Sequence, residues 1–322
     1  MAGECAKPSD TRDALCPWPG VTSPEAQQAL SRLPVSQSHD PDAQPVVGQL
    51  RETAASVQKA VAAKQLRRYP VDIAEDTVAG IPVKVFTPRD MPDANRRHIL
   101  INVHGGGFAV DSGSLSENIP IAYLMKSKVI AVLYPLSPES RFPAARDAVI
   151  AVYTEILKLH RPADVVLYGT SAGAVLTGEV AVRLKALHLP MPAALGFFSG
   201  SADLSRQGSS ELDPSIPQGG QALTRAIAQY AGGHALTDPM LSPLFADLAG
   251  LPPTLLIAGT RDILLSQTTI FHRALRKAGV PAELVVFEAM PHAHWSYLDI
   301  PESAEAFQAM ADFFTQHLNG DH

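Results

Sequence analysis

The stretch Val165-Val166-Leu167-Tyr168-Gly169-Thr170-Ser171-Ala172-Gly173 decides the fold. Its first four residues form an apolar run with the length of a short buried strand. The run ends in Gly169-Thr170-Ser171-Ala172-Gly173, a Gly-x-Ser-x-Gly sequence, and a helix-like run from Ala174 to Leu187 follows at once. A serine on a tight strand-to-helix turn is a nucleophile elbow: its oxygen is pushed into the open by a strained backbone. The flanking glycines let strand and helix approach each other. The helix N-terminus beneath the serine offers unpaired N–H groups and partial positive charge to a nearby oxyanion. Two glycines around a serine arise by chance in many chains; the strand before and the helix after set this one apart.

Working outward, residues 1 to about 45 are rich in Pro, Ser, Asp and Gln, with one short periodic piece from Pro24 to Leu33. Leu50 to Arg68 has apolar residues at helical spacing. Val71 to Val78 and Ile81 to Thr87 read as two antiparallel strands around Ala79-Gly80. The pattern then alternates. Strands are expected at Ile99–Val103, Val129–Tyr134, the elbow run, Ala193–Phe198, Thr254–Ala258 and Leu284–Phe287. Helices are expected at Ala144–Leu159, after the elbow, at Ser266–Ala278 and at Glu302–Leu318. Continuous Val/Ile/Leu runs, without alternation, mark strands buried on both faces. The expectation is an α/β fold: an eight-stranded, mostly parallel sheet with helices on both faces. Between Ser199 and Ala249 this order breaks down, and a helix-like stretch, Gln221 to Ala231, stands inside it. The domain reading is a catalytic core of residues 69–199 and 246–322, an N-terminal cap segment of residues 1–68 and a cap insertion of residues 200–245.

Composition excludes several classes. The 322 residues are 46% apolar, enough for a large core, and the formal net charge is −6, with no basic excess to attract nucleic acid or an anionic membrane. No apolar run reaches the ~18 residues of a membrane span. The first ten residues lack the apolar core of a signal peptide, so a soluble, cytoplasmic protein is expected. Cys5 and Cys16 are the two cysteines; in a reducing compartment they stay unpaired, and their spacing makes no metal site.

Ligands of open α/β sheets bind beyond the carboxyl ends of the strands. Beyond Ile99–Val103 comes His104-Gly105-Gly106-Gly107-Phe108, whose bare backbone N–H groups suit an oxyanion. A flexible loop or a phosphate loop reads equally well from the glycines alone, although no Gly-Lys-Ser/Thr follows. Beyond Thr254–Ala258 comes Asp262, placed either to orient an imidazole or to cap the next helix. Beyond Leu284–Phe287 come His292 and His294, either of which suits a general base. Two histidines also raise the question of a metal, but no third ligand of proper spacing stands nearby. No metal and no cofactor is expected. Together these strand ends supply Ser, Asp and His in the chain order that α/β-hydrolases use.

On these residues the chain resembles the hormone-sensitive-lipase-like family of α/β-hydrolase esterases. His104-Gly105-Gly106-Gly107 is similar to its oxyanion motif, and Gly169-Thr170-Ser171-Ala172-Gly173 to the elbow of one bacterial branch. Tyr134-Pro135-Leu136-Ser137-Pro138-Glu139 and Phe142-Pro143-Ala144-Ala145 resemble its Tyr-Arg-Leu-Ala-Pro-Glu and Phe-Pro-Ala-Ala stretches, with Pro135 and Ser137 in place of Arg and Ala. Ser242-Pro243 and Leu251-Pro252-Pro253 resemble the approach to the acid strand. The likeness covers Val71 to Leu318. At the base the family commonly has His-Gly-Phe where this chain has His292-Ala293-His294.

The resemblance implies an α/β-hydrolase fold with Ser171 as nucleophile, Asp262 as acid and His292 as base, with His294 as runner-up. It implies oxyanion donors at Gly105 and Gly106; elbow geometry adds the N–H of Ala172. Phe108, His294 and Trp295 are expected in the pocket wall, with plain core packing as the competing reading for Trp295. The implied activity is hydrolysis of short- to medium-chain carboxylic esters, small-molecule substrates, through an acyl-enzyme. Hydrolysis of a lactone or amide, and a non-catalytic binder on the same fold, are the alternatives. A homodimer through the edge strand Ala282–Glu288 is a further expectation, because an unpaired β-rich edge invites pairing.

Overall fold

The structure, a computed structural model, describes residues 21–33, 46–213, 216 and 220–318. Cys5 and Cys16 lie outside the described residues. Eight strands form one sheet: β1 (Val71–Val78), β2 (Ile81–Pro88), β3 (Ile99–Val103), β4 (Lys128–Val132), β5 (Val165–Thr170), β6 (Ala194–Phe198), β7 (Thr254–Arg261) and β8 (Ala282–Pro291). Their order is β1-β2-β4-β3-β5-β6-β7-β8. The pairs β1/β2 and β2/β4 are antiparallel, and every pair from β4 to β8 is parallel. The antiparallel entry and the parallel core agree with the reading of the sequence.

Side chains alternate across a strand, so each strand feeds two cores. On one face Ile101, Val103, Val165, Leu167 and Phe197 pack with residues of α4 (Ala144–Ile156), α5 (Ala172–Ala186) and α8 (Leu265–Lys277). On the other, Leu100, Val166, Tyr168, Phe198 and Ile257 pack with α3 (Asn118–Met125) and α9 (Pro301–Leu318). The short helix α1 (Pro24–Arg32) sits on this second side. The backbone N–H and hydroxyl of Ser23 donate to Glu302 of α9 at 2.6 and 2.9 Å.

The sequence reading misses α3. Its residues, Asn-Ile-Pro-Ile-Ala-Tyr-Leu-Met, show no polar face because six of the eight are buried. Periodicity therefore carries no signal. Pro120 is tolerated because it lies in the first turn, where the missing N–H has no intrahelical acceptor.

The long helix α2 (Val47–Arg68) lies beside the segment after β3. Gln58, buried, donates to the carbonyl of Asp111 at 2.8 Å and accepts from the N–H of Leu115 at 2.8 Å. Between β6 and β7 stand α6 (Ser209–Leu212) and α7 (Gly220–Ala231). Among the described residues no helix is long and apolar enough to cross a membrane.

Candidate active site

The elbow is tighter than the sequence suggested. β5 runs to Thr170 and α5 starts at Ala172, so Ser171 alone makes the turn, at φ 57° and ψ −120°. A non-glycine residue there costs on the order of 1–3 kcal/mol. The surroundings hold it: the Ser171 N–H donates to the Phe198 carbonyl at 2.8 Å, and its carbonyl accepts from the N–H groups of Ala174 and Val175. Glycine is required for the close approach of helix to sheet. A Cβ on Gly173 would stand 1.9 Å from the carbonyl oxygen of Val103.

His292 leaves the end of β8 and meets Ser171, with Nε2 2.9 Å from the serine Oγ. Its Nδ1 lies 2.7 Å from Asp262 Oδ1, at the end of β7. A carboxylate only accepts, so the neutral ring carries its proton on Nδ1, and Nε2 accepts from the serine hydroxyl. Asp262 is fully buried. Its Oδ1 also accepts from the N–H of Leu264 at 2.8 Å, so it does cap the turn leading into α8 as well as facing His292. Its Oδ2 accepts from the hydroxyl of Ser199, and Ser199 in turn accepts from the N–H of Ala293 at 3.3 Å.

Burial pushes the Asp262 carboxyl up, but the charge and hydrogen bond of His292, with the Ser199 hydroxyl and the Leu264 N–H, hold it below the usual carboxylate range. Burial likewise pushes the His292 imidazole down. The Asp262 carboxylate, by charge and by hydrogen bond, and the charge of Glu117 outweigh this and raise it above the ordinary histidine value. The imidazolium is therefore stabilised where it would form.

The glycine loop comes up beside the serine. A Cβ on Gly105 would stand 3.3 Å from that of Ser171. Gly106 has φ 114°, and a Cβ there would fall 1.9 Å from the Val110 carbonyl oxygen, so the loop can close only with glycine. Its turn is tied by the N–H groups of Val110 and Ser112 to the carbonyls of Gly106 and Gly105. Among the described residues, the N–H groups of Gly105, Gly106 and Ala172 have no acceptor in hydrogen-bonding range. The arrangement is thus rich in unsatisfied donors beside a serine oxygen, which suits developing negative charge.

Two supports of this loop come from outside it. Tyr134 donates to the His104 carbonyl at 2.7 Å and stacks on its ring, with centroids 4.2 Å apart. Arg51 of α2 donates to the carbonyls of Ala109 and Ser137 at 2.8 and 2.9 Å while its fork holds Glu139 at 2.9 and 2.7 Å. Tyr134 and Glu139 open and close the motif-like stretch noted above, so the structure gives both ends of that stretch a task. The sequence reading also misses Ser199, a lone serine after a strand, a pattern too common to signal.

A narrow cavity of about 20 Å³ opens on Ser171 and Ala172. Its apolar lining includes Phe108, Leu204, Leu223, Ile227 and Leu264, and it also touches Ser201 and Glu211. Phe108 is thus part of the wall. His294 and Trp295, expected there, are not. His294 is fully buried between Phe287 and Trp295, with ring centroids 5.1 and 5.0 Å away, and burial pushes its pKa down to about 4. Trp295 packs edge-on against Phe198 in the second core. The cause is Ala293, whose left-handed φ of 50° sends the two histidines in different directions.

The profile of the α/β-hydrolase fold family matches residues 100–296. An esterase of Acinetobacter venetianus is 33% identical over 239 residues, which are 69% of this chain and 76% of that protein. An acetyl-hydrolase of Streptomyces hygroscopicus is 31% identical over 221 residues, 66% of this chain and 74% of that protein. Among solved structures, esterase E25 superposes with a TM-score of 0.83 at 31% identity, covering 94% of this chain and 97% of its own. Sequence and architecture agree along most of the length, and the chain belongs to the α/β-hydrolase fold family.

Proposed function

We propose that the protein is a serine carboxylesterase that hydrolyses short- to medium-chain carboxylic esters through an acyl-enzyme on Ser171. The observation that carries this reading is His292, whose two ring nitrogens bridge Ser171 and Asp262. Ser171 Oγ attacks the ester carbonyl carbon as its proton passes to His292 Nε2. The N–H groups of Gly105, Gly106 and Ala172 hold the oxyanion. The bond to the alcohol oxygen breaks, and that oxygen takes the proton from His292. Water then attacks the acyl carbon, giving a proton to the same nitrogen; the carbon–Oγ bond breaks and Ser171 recovers its hydrogen. Asp262 holds the tautomer and offsets the imidazolium charge throughout.

The narrow apolar cavity, with free space for one or two waters, supports preference for the shorter acyl chains. So does the acetyl-hydrolase name of one relative. Residues 200–245 act as a cap: α6 and α7 bring Glu211, Leu223 and Ile227 to the cavity. Residues 1–68 contribute through α2, whose Arg51 braces the glycine loop. Pairing of two chains through the open edge of β8 supplies a homodimer; a monomeric mass in solution rules that out.

The test of the activity is Ser171→Ala against p-nitrophenyl esters of rising chain length, run beside amides and lactones. Ester turnover is expected to fall by about a millionfold. An undiminished rate ends the proposal, and faster turnover of the lactone or amide by the unaltered protein moves it to that bond.

A further inference from the structure

Tyr230, near the end of α7, is buried between two parts of the site. Its hydroxyl donates to Glu179 Oε2 at 2.7 Å. Its ring lies flat on Phe108, with centroids 3.8 Å apart and planes 3° from parallel. Glu179 is fully buried on α5, the helix that starts immediately after Ser171. Phe108 ends the glycine loop at φ 63° and lines the cavity. The other cavity residues of α7, Ile227 and Leu223, stand three and seven positions before Tyr230, on the same helical face.

A ring-on-ring contact adds only a small stabilisation beyond its burial, so directional bonds fix where the two rings sit. Two bonds do so: the phenol to Glu179, and the Phe142 N–H to the Tyr230 carbonyl at 2.8 Å. Only the first acts on the ring itself.

We infer that Tyr230 is a positioning residue for acyl-chain selection: its bond to Glu179 sets the register of α7 over the cavity, and its ring fixes Phe108 and the glycine loop behind it. This rests on the esterase reading of Ser171. Glu179 suits the task because burial pushes its carboxyl well above the usual range, so it holds the phenol as a neutral group. Its Oε1 finds no hydrogen-bond partner among the described residues, which leaves the phenol to hold the carboxyl through Oε2. Without that hydroxyl, the ring is free to shift, and Phe108 moves with it.

The experiment compares Tyr230→Phe, Tyr230→Leu, Glu179→Gln and Glu179→Leu in the full chain. Rates with p-nitrophenyl acetate and hexanoate are taken per active site titrated with a fluorescent phosphonate. Tyr230→Phe and Glu179→Leu are expected to shift the acetate-to-hexanoate ratio of kcat/KM by about fivefold or more, mostly through KM. Tyr230→Leu, which also loses the stack, shifts it further and lowers kcat about tenfold. Glu179→Gln keeps an acceptor for the phenol and stays within about twofold of the unaltered ratio. A purely structural role lowers the melting temperature and the titratable fraction while every ratio stays within about twofold; that result overturns the inference. If the leucine variants do not fold, Tyr230→Phe, which removes a single oxygen, decides alone. An unaltered protein that takes no phosphonate and cleaves no ester defeats the esterase reading instead, and the inference falls with it.

Discussion

Ser171, Asp262 and His292 stand at the ends of parallel strands, where ladder pairing and close-packed backbone hold them. The segment that closes the cavity over them is held largely by side-chain bonds, beside a backbone bond from the Phe142 N–H to the Tyr230 carbonyl. Beneath the serine, β5 is buried throughout and paired on both sides, and Gly173 brings its helix against β3. Above it, α6 is tied to the start of α8 through Ser210, Glu211 and Gln267, and α7 to α5 through Tyr230 and Glu179. Backbone contacts leave almost no side-chain substitution that repositions the reacting groups without unfolding them. Side-chain contacts can be altered one at a time. On the proposed reading, the chemistry is built on the rigid part and the choice of substrate on the adjustable part.

The two histidines offer the sharpest way to break this comparison. His292→Ala is expected to lower ester turnover by about a millionfold, as loss of one member of a coupled triad does. His294→Ala removes only core packing, so it is expected to lower the melting temperature while turnover per folded molecule stays within a few-fold, on the order of other core truncations away from the chemistry. Thermal melts and p-nitrophenyl acetate kinetics on both variants read this directly; the reverse pattern would mean that His294 is the base.

Asp262→Asn is the next largest. It keeps the shape but lets the ring adopt the wrong tautomer, and a fall in kcat of about ten-thousandfold is expected. The pH profile sharpens the same point. His292 must be neutral to accept the serine proton, and its pKa lies above the ordinary 6.5. Below that raised midpoint, kcat/KM is expected to fall about tenfold per pH unit. The midpoint drops in Asp262→Asn, because the raising charge is gone.

Arg51→Ala takes a brace from the glycine loop without touching the serine. The Ala109 and Ser137 carbonyls each lose a charged donor, and Glu139 loses its partner. A fall in kcat of about tenfold, corresponding to ~1.4 kcal/mol of oxyanion stabilisation, is expected with little change in KM. The smallest effect belongs to the roof. Ile227→Ala enlarges the cavity, and a gain of a few-fold for hexanoate over acetate is expected, the range that a methylene or two commands in an apolar pocket. Equal losses for both esters would place Ile227 in the supporting core instead.

Much of this was legible in the residues because the signals are local. A run of Val and Leu ending in Gly-x-Ser-x-Gly is a strand and a turn wherever it lies, and all eight strands were found within a few residues of their ends. Where the signal is non-local it was lost. α3 hides its periodicity because six of its eight residues are buried and the other two are apolar or aromatic. Ser199 matters only because β6 places it beside Asp262, and Arg51 only because α2 lies against a loop about 58 residues later in the chain. The pocket expectation failed at His294 and Trp295 for a related reason: a single left-handed residue, Ala293, decides which of two neighbouring histidines faces the site.

By itself, then, the sequence determined the layered α/β architecture, the elbow and the strand ends where the chemistry gathers, since burial patterns and glycine positions follow from short-range sterics and hydrophobicity. Only the tertiary structure decided which histidine meets the serine, which side chains brace the oxyanion loop and what walls the cavity. Those outcomes depend on contacts between segments far apart in the chain, and such contacts exist only after the sheet has set their distance and direction.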